Sequence, residues 1–131
     1  MMSLMIALAL QAASTTAPAP NTAETAPIET LDELPIEQAA APRCGIAFAV
    51  VSRWQKTGDP RGDEYEDVEE SGGREFFVRT MANLMERRDL SREELLALVE
   101  TEVQALDNVE GAQRIEGMMP ACSLMKETAG L

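Results

Sequence analysis

Two cysteines, Cys44 and Cys122, carry the most distinctive chemistry in this sequence. Each lies in an apolar stretch, and an even number of cysteines in an exported chain is typical of a disulfide, because the environment outside the cytosol is oxidising. A redox pair would be expected to use a Cys-x-x-Cys motif or groups that lower a thiol pKa, and no such pattern occurs here. The sequence therefore predicts a structural disulfide between Cys44 and Cys122.

Methionine and tryptophan side chains form a second group that can bind a ligand or a partner. Thioethers can hold cuprous copper, and a flexible methionine surface can accommodate different proteins, although core packing is their ordinary use at helical spacing. Trp54 can likewise seal the core rather than recognise a ligand. We place a candidate partner groove near Pro120, with the following residues: Trp54, Met118, Met119, Pro120 and Met125.

The sequence contains few of the residues and motifs that enzymes use for catalysis. The chain has no histidine, and so it lacks the commonest general base and the commonest zinc ligand. No nucleophile elbow, phosphate-binding loop or metal-ligand spacing is present in the sequence. We expect a protein that is not an enzyme and that uses neither a metal nor another cofactor.

The charge balance restricts the partners. The 23 acidic residues outnumber the 11 basic ones, which gives a formal net charge of −12. Nucleic acids and anionic membrane surfaces repel such a chain, so we expect neither as a partner. A protein partner or client remains, and a cationic one is compatible with this charge.

The N-terminus is typical of an export signal. The apolar run 4–10 is followed by small residues, and it is too short to span a bilayer. No Lys or Arg precedes it, which is unusual for a signal peptide, and a buried N-terminal helix is the alternative. We predict a signal peptide over residues 1–17, cleavage after Ala13 or Ala17, a periplasmic or secreted location, and no stable membrane insertion after cleavage.

Residues 18–42 are predicted to form a disordered acidic linker. The segment is rich in Pro, Ala, Thr and Glu, and such a composition buries too little apolar surface to offset the entropy of ordering. Its larger apolar side chains could instead form a short docking motif, although Pro35 should interrupt a helix there. These side chains are Ile28, Leu31, Leu34 and Ile36.

Residues 43–131 are predicted to form a helical domain. The apolar run from Cys44 to Val51 is compatible with a buried helix or a buried strand, and Ala47 and Ala49 favour the helix. Residues 56–73 contain many carboxylates with several glycines and a proline, which predicts a long acidic loop.

The later helices have clear boundaries. Ser91 and Glu94 have the spacing of a capping box, which predicts the start of a helix. Asp107 with Glu110 repeats that spacing and should start the last helix. Pro120 should kink or break it. The predicted fold class is all-α: a small bundle of three to four helices closed by one disulfide.

Two main functional hypotheses follow from these patterns. The first is a small exported helical protein that acts as an interaction module of the cell envelope. The second is a stress or holdase-type chaperone, since the layout resembles the small helical acid-stress chaperones of the bacterial periplasm, which also have one disulfide that brackets a helical core. The resemblance covers the helical domain and implies no particular site residues. A methionine-based metal binder is a third, weaker alternative.

Overall fold

The computed structural model describes residues 27–131, and within them the chain forms four α-helices. These are α1 (Ile36–Thr57), α2 (Gly73–Arg88), α3 (Arg92–Leu106) and α4 (Val109–Thr128). Two short 3₁₀ helices, Leu31–Glu33 and Pro60–Glu64, flank α1. No strand occurs over residues 27–131, so the predicted all-helical architecture is confirmed for this part of the chain. The predicted signal peptide lies outside it.

Helix α1 is the centre of the fold. Its apolar run, residues 44–51, is buried on almost every side, and Ile46 and Val51 are completely inaccessible. A helix that is apolar all round must be surrounded, and here every other helix contacts α1. Gly45 lies where α1 and α2 approach closely, since a Cβ atom there would be 2.6 Å from Thr80 Oγ1. The helical interpretation of this run is therefore correct, and the strand alternative is not.

The two cysteines connect the first and last helices. Cys44 of α1 and Cys122 of α4 are both buried, their sulfur atoms lie at bonding distance, and their Cα atoms are 5.2 Å apart. This separation is ordinary for a disulfide. The pair closes a stretch of 78 residues, so it joins the two ends of the helical domain.

The folded unit begins earlier than the sequence predicts. Ile28, Leu31 and Leu34 are buried in the common core, and Leu31 is completely inaccessible. The Leu31 amide donates a hydrogen bond to Glu102 Oε1 of α3 at 2.7 Å, which holds this segment in place. The prediction that the disordered linker extends to residue 42 is therefore wrong for residues 28–42, because three apolar side chains at three-residue spacing bury enough surface to order the segment.

The prolines of this region do not prevent helix formation. Pro35 is the N-cap of α1, where the missing amide is not needed, and its carbonyl accepts hydrogen bonds from the amides of Gln38 and Ala39. Pro42 lies inside α1 and is buried. Pro35 therefore precedes the first turn of α1, and Pro42 is buried within the helix.

Helix α3 begins as predicted. The Ser91 hydroxyl accepts a hydrogen bond from the Glu94 amide at 3.1 Å, and the Glu94 carboxylate accepts one from the Ser91 amide at 2.7 Å. This is a complete capping box, in which two amides at the start of the helix are satisfied reciprocally.

Helix α4 differs from the prediction at two points. Its N-cap is Asn108, whose side chain accepts from the Gly111 amide at 2.8 Å, and not Asp107. The helix also continues through Pro120, so the predicted break there is wrong. Because proline has no amide hydrogen, the carbonyl of Glu116 loses its usual hydrogen bond from residue 120. Both residues are on the exposed side of α4, where water can replace that bond.

Removing the disulfide should lower the stability of the fold strongly. In the chain-entropy description, closing 78 residues is worth about 4.5 kcal/mol. We expect the double variant Cys44→Ala/Cys122→Ala to unfold at a much lower urea concentration than the oxidised protein, as followed by far-ultraviolet circular dichroism. Reduced wild-type protein is the matched control and should behave similarly. An unchanged urea midpoint would contradict this prediction.

Candidate functional site

A surface groove lies between α1, α4 and the acidic segment 59–71, and we call it the α1–α4 groove. Its volume is about 350 Å³. The buried side chains of Phe48, Val51 and Val68 form an apolar floor, and Met119 and Pro120 of α4 form a wall. Its other lining residues are polar or charged: Glu64, Tyr65, Glu66, Ser71, Glu116, Ser123 and Lys126.

The five residues of the predicted partner groove do not form one surface. Met119 and Pro120 line the α1–α4 groove. Trp54 is only 2% exposed and borders an adjoining depression of about 300 Å³, which shares the lining residues Glu64, Tyr65 and Glu116. Met118 and Met125 are half-buried against the core. Met125 also lines a separate depression between α2 and α4.

A single glutamine positions the acidic segment. Gln55 of α1 places its amide nitrogen 2.8 Å from the Glu66 carbonyl oxygen, 3.1 Å from that of Gly62 and 3.3 Å from that of Tyr65. Its amide oxygen accepts from the Val68 amide at 3.0 Å. Gly62 is required at the closest approach, because a Cβ atom there would lie 2.8 Å from the backbone nitrogen of Gln55. The segment that the sequence predicts as an acidic loop is therefore attached to α1 through its backbone.

Asp107, between α3 and α4, connects this segment to the rest of the fold. Its carboxylate accepts from the indole nitrogen of Trp54 at 2.9 Å, from Arg53, and from Arg61 at 3.3 Å. The Arg61 guanidinium lies 4.4 Å from the centre of the Trp54 ring and also pairs with Asp59. The hydrogen bond from Trp54 is the main reason that the pKa of Asp107 is lowered. Arg61 in the same way lowers the pKa of Asp59 by hydrogen bonding.

The rim of the groove is acidic. Glu64 and Glu66 belong to segment 59–71 and Glu116 belongs to α4, so carboxylates stand on two sides of the opening. Over residues 27–131, none of these three carboxylates forms a salt bridge. Burial raises the pKa of Tyr65, and the charges of Glu116 and Glu64 raise it further. The rim carboxylates therefore have no ion-pair partner among the described residues: Arg61, which lines the adjoining depression, pairs with Asp59 and Asp107 instead.

Lys126 is the one buried charged side chain in the described core, and it lies at the floor of the groove. It is 5% exposed, its ammonium donates to the Ser71 carbonyl oxygen, and the nitrogen is 5.9 Å from the centre of the Phe48 ring. Within the ordered domain it forms no salt bridge. Lys126 thus ties α4 to the acidic segment and adds a positive charge beneath the rim.

Sequence reasoning missed most of these residues. Lys126 could have been found, because it lies four residues after Cys122 and eleven after Ile115, on the same buried face of α4. The role of Asp107 as an acceptor for a distant tryptophan has no local signal, and its spacing to Glu110 pointed to a helix cap instead. The role of Gln55 likewise depends on how the chain folds back after α1.

Comparison with known proteins adds no assignment: no protein-family model, curated protein or solved structure matches this chain. None of the helices in the described range is sufficiently long and apolar to cross a bilayer. In the same range, no three acidic or cysteine side chains are grouped closely enough to hold a metal ion.

Acid should weaken the network around Asp107. Its pKa in the folded protein is lowered from the ordinary value of 3.8, so its stabilising contribution is fully present above pH 3.8 and is lost as the pH falls through the lowered value. We expect Asp107→Asn to destabilise the protein by about 1 kcal/mol at pH 7. The difference from wild type should shrink as the pH is lowered towards 2.

Urea unfolding followed by the fluorescence of Trp54, the single tryptophan, measures this difference. Asp63→Asn is a matched control, because Asp63 is an exposed carboxylate of the same segment that forms no salt bridge with the cations of the described domain. A difference between Asp107→Asn and wild type that stays constant from pH 7 to pH 2 would contradict the assignment.

Proposed function

We propose that this protein is a small, exported, non-enzymatic interaction module that binds a segment of a partner protein in the α1–α4 groove. The observation that carries this proposal is the combination, at one opening, of an apolar floor with an acidic rim whose carboxylates form no salt bridge in the described domain. The volume of this groove, about 350 Å³, lies at the lower end of the range found for ligand-binding clefts.

Export is part of the proposal. The sequence begins with a run typical of a signal peptide, and the cysteine pair at bonding distance is compatible with an oxidising compartment such as the periplasm or the extracellular space. A cysteine pair that joins α1 to α4 also holds the two helices that form opposite sides of the groove. We infer that the groove is a stable feature of the oxidised protein rather than one assembled on binding.

Site-specific photo-crosslinking tests the groove. A short aliphatic diazirine side chain at Ser123, inside the groove but too small to fill it, should form an adduct with a partner from the envelope fraction, whereas the same group at exposed Ala97 of α3 should not. The crosslinked segment is identified by mass spectrometry, and a synthetic peptide of that segment should compete for the site.

A groove variant makes this test quantitative. Met119→Gln should reduce the adduct about tenfold, since it places a polar amide on the apolar wall without adding a carboxylate. Leu96→Gln is the matched control, because Leu96 is an exposed apolar residue on α3. Equal adducts from Ser123 and Ala97, or no competition by the mapped peptide, would contradict the proposal.

A holdase-type chaperone is the second candidate, and one observation favours it. The acidic segment covers Phe48 and Val51 of α1, and two of its attachments are ion pairs: Arg61 with Asp107, and Glu69 with Lys56 of α1. The pKa of Glu69 is lowered, chiefly by its hydrogen bond with Lys56. Asp107 and Glu69 hold the segment when they are charged, so their protonation weakens its attachment and favours exposure of Phe48 and Val51.

This second function predicts activity only in acid. Between pH 7 and pH 5 the carboxylates stay charged, and below about pH 3.8, as the lowered pKa values are reached, a fluorescent dye for apolar surface should bind and aggregation of an acid-unfolded client should be suppressed. Asp107→Asn should shift dye binding to higher pH, and Asp63→Asn should not. A protein that binds no dye and leaves the client to aggregate at pH 2 would exclude the chaperone.

A further inference from the structure

We propose that the partner segment seated in the α1–α4 groove presents a cationic side chain next to an apolar one. This inference rests on the proposed function, because it names the chemistry of the partner at the same groove. It follows from how charge and apolar surface are arranged within a single opening.

The two carboxylates that matter most come from different elements. Glu64 belongs to the second 3₁₀ helix and Glu116 to α4, and both line the α1–α4 groove and the adjoining depression beside Trp54. They therefore stand where the two cavities meet. Tyr65 lines the same two cavities, and the charges of Glu116 and Glu64 both raise the pKa of its phenol. A lysine or arginine side chain at this junction would contact two carboxylates that have no salt bridge of their own in the described domain.

The apolar requirement comes from the floor. Phe48, Val51 and Val68 lie beneath the opening, and Met119 forms its wall with a flexible thioether side chain. An aliphatic side chain inserted here would be buried against this floor and the Met119 wall. Most of the affinity would come from that burial, and the carboxylates would select the charge of the neighbouring residue.

Lys126 does not favour an acidic partner. Its ammonium is buried and already contacts the Ser71 carbonyl oxygen and the face of Phe48. An incoming carboxylate would have to pass Glu64, Glu66 and Glu116 to reach it. The overall charge of −12 adds long-range attraction for cations and repulsion of anions.

Three fluorescein-labelled octapeptides test the chemistry directly, with fluorescence anisotropy measured on the oxidised protein purified after export. One alternates Leu and Lys, the second alternates Leu and Glu, and the third alternates Ser and Lys. We expect the Leu/Lys peptide to bind at least about tenfold more tightly than either of the others, because it alone supplies both features. Its affinity should fall as salt is added.

Charge variants separate the groove from general attraction to an acidic protein. Glu64→Gln/Glu116→Gln should weaken the Leu/Lys peptide about three- to tenfold. Glu86→Gln/Glu100→Gln is the matched control, since it removes the same charge from exposed sites on α2 and α3 and should have little effect. Ser123→Trp, which fills the groove, should abolish binding, whereas Ala97→Trp should not.

The outcomes are distinct. Preference for the Leu/Lys peptide that depends on Glu64 and Glu116 supports the inference. Equal or tighter binding of the Leu/Glu peptide, binding of no peptide, or equal weakening by both double variants overturns it. If the Ser123 crosslink still maps a competing partner segment in those cases, the proposed function stands and only the assigned chemistry of the partner is wrong.

Discussion

The fold depends on the need to cover helix α1 from all directions. Its central residues are apolar around the whole circumference, so an amphipathic arrangement with one exposed face is not available to it. Helices α2, α3 and α4 and the two 3₁₀ helices each cover part of it. The chain is short for this task, and the N-terminal segment with Leu31 and the acidic segment with Val68 both contribute apolar side chains to the core.

The groove exists because the other helices do not cover the whole surface of α1. Where α4 and α2 leave α1 uncovered, an irregular segment crosses the gap and is attached by hydrogen bonds and ion pairs rather than by a helical apolar face. Such a cover leaves space above Phe48 and Val51 and carries its own charges to the rim. The acidic segment therefore contributes both carboxylates and an apolar side chain to the α1–α4 groove.

The sequence predicts the features that depend on local signals or on pairwise chemistry. The helix through residues 44–51, the Ser91 cap and the pairing of the cysteines were foreseen because composition, spacing and number suffice for them. The N-terminal boundary of the folded unit was not foreseen, because the many prolines and alanines near Leu31 and Leu34 suggested disorder, although these two leucines are buried in the core.

The sequence also predicted a break at Pro120 that does not occur. Pro120 lies on the exposed face of α4, where water can replace the hydrogen bond that proline removes, so the helix continues. Of the candidate groove, Met119 and Pro120 were identified, but the partners across from them come from a segment whose position only the tertiary structure defines.

The attachment of the acidic segment has one more consequence. The Gln55 side chain forms its hydrogen bonds to residues 62–68 with backbone atoms, so these bonds depend on the path of the chain and not on the identity of the side chains. Residues such as Glu64 and Glu66 can therefore be replaced without changing the route that the backbone follows. If the α1–α4 groove binds a partner as we propose, scaffold and specificity are encoded separately: substitutions at a few rim positions can change the selectivity, while the core around α1 stays as it is.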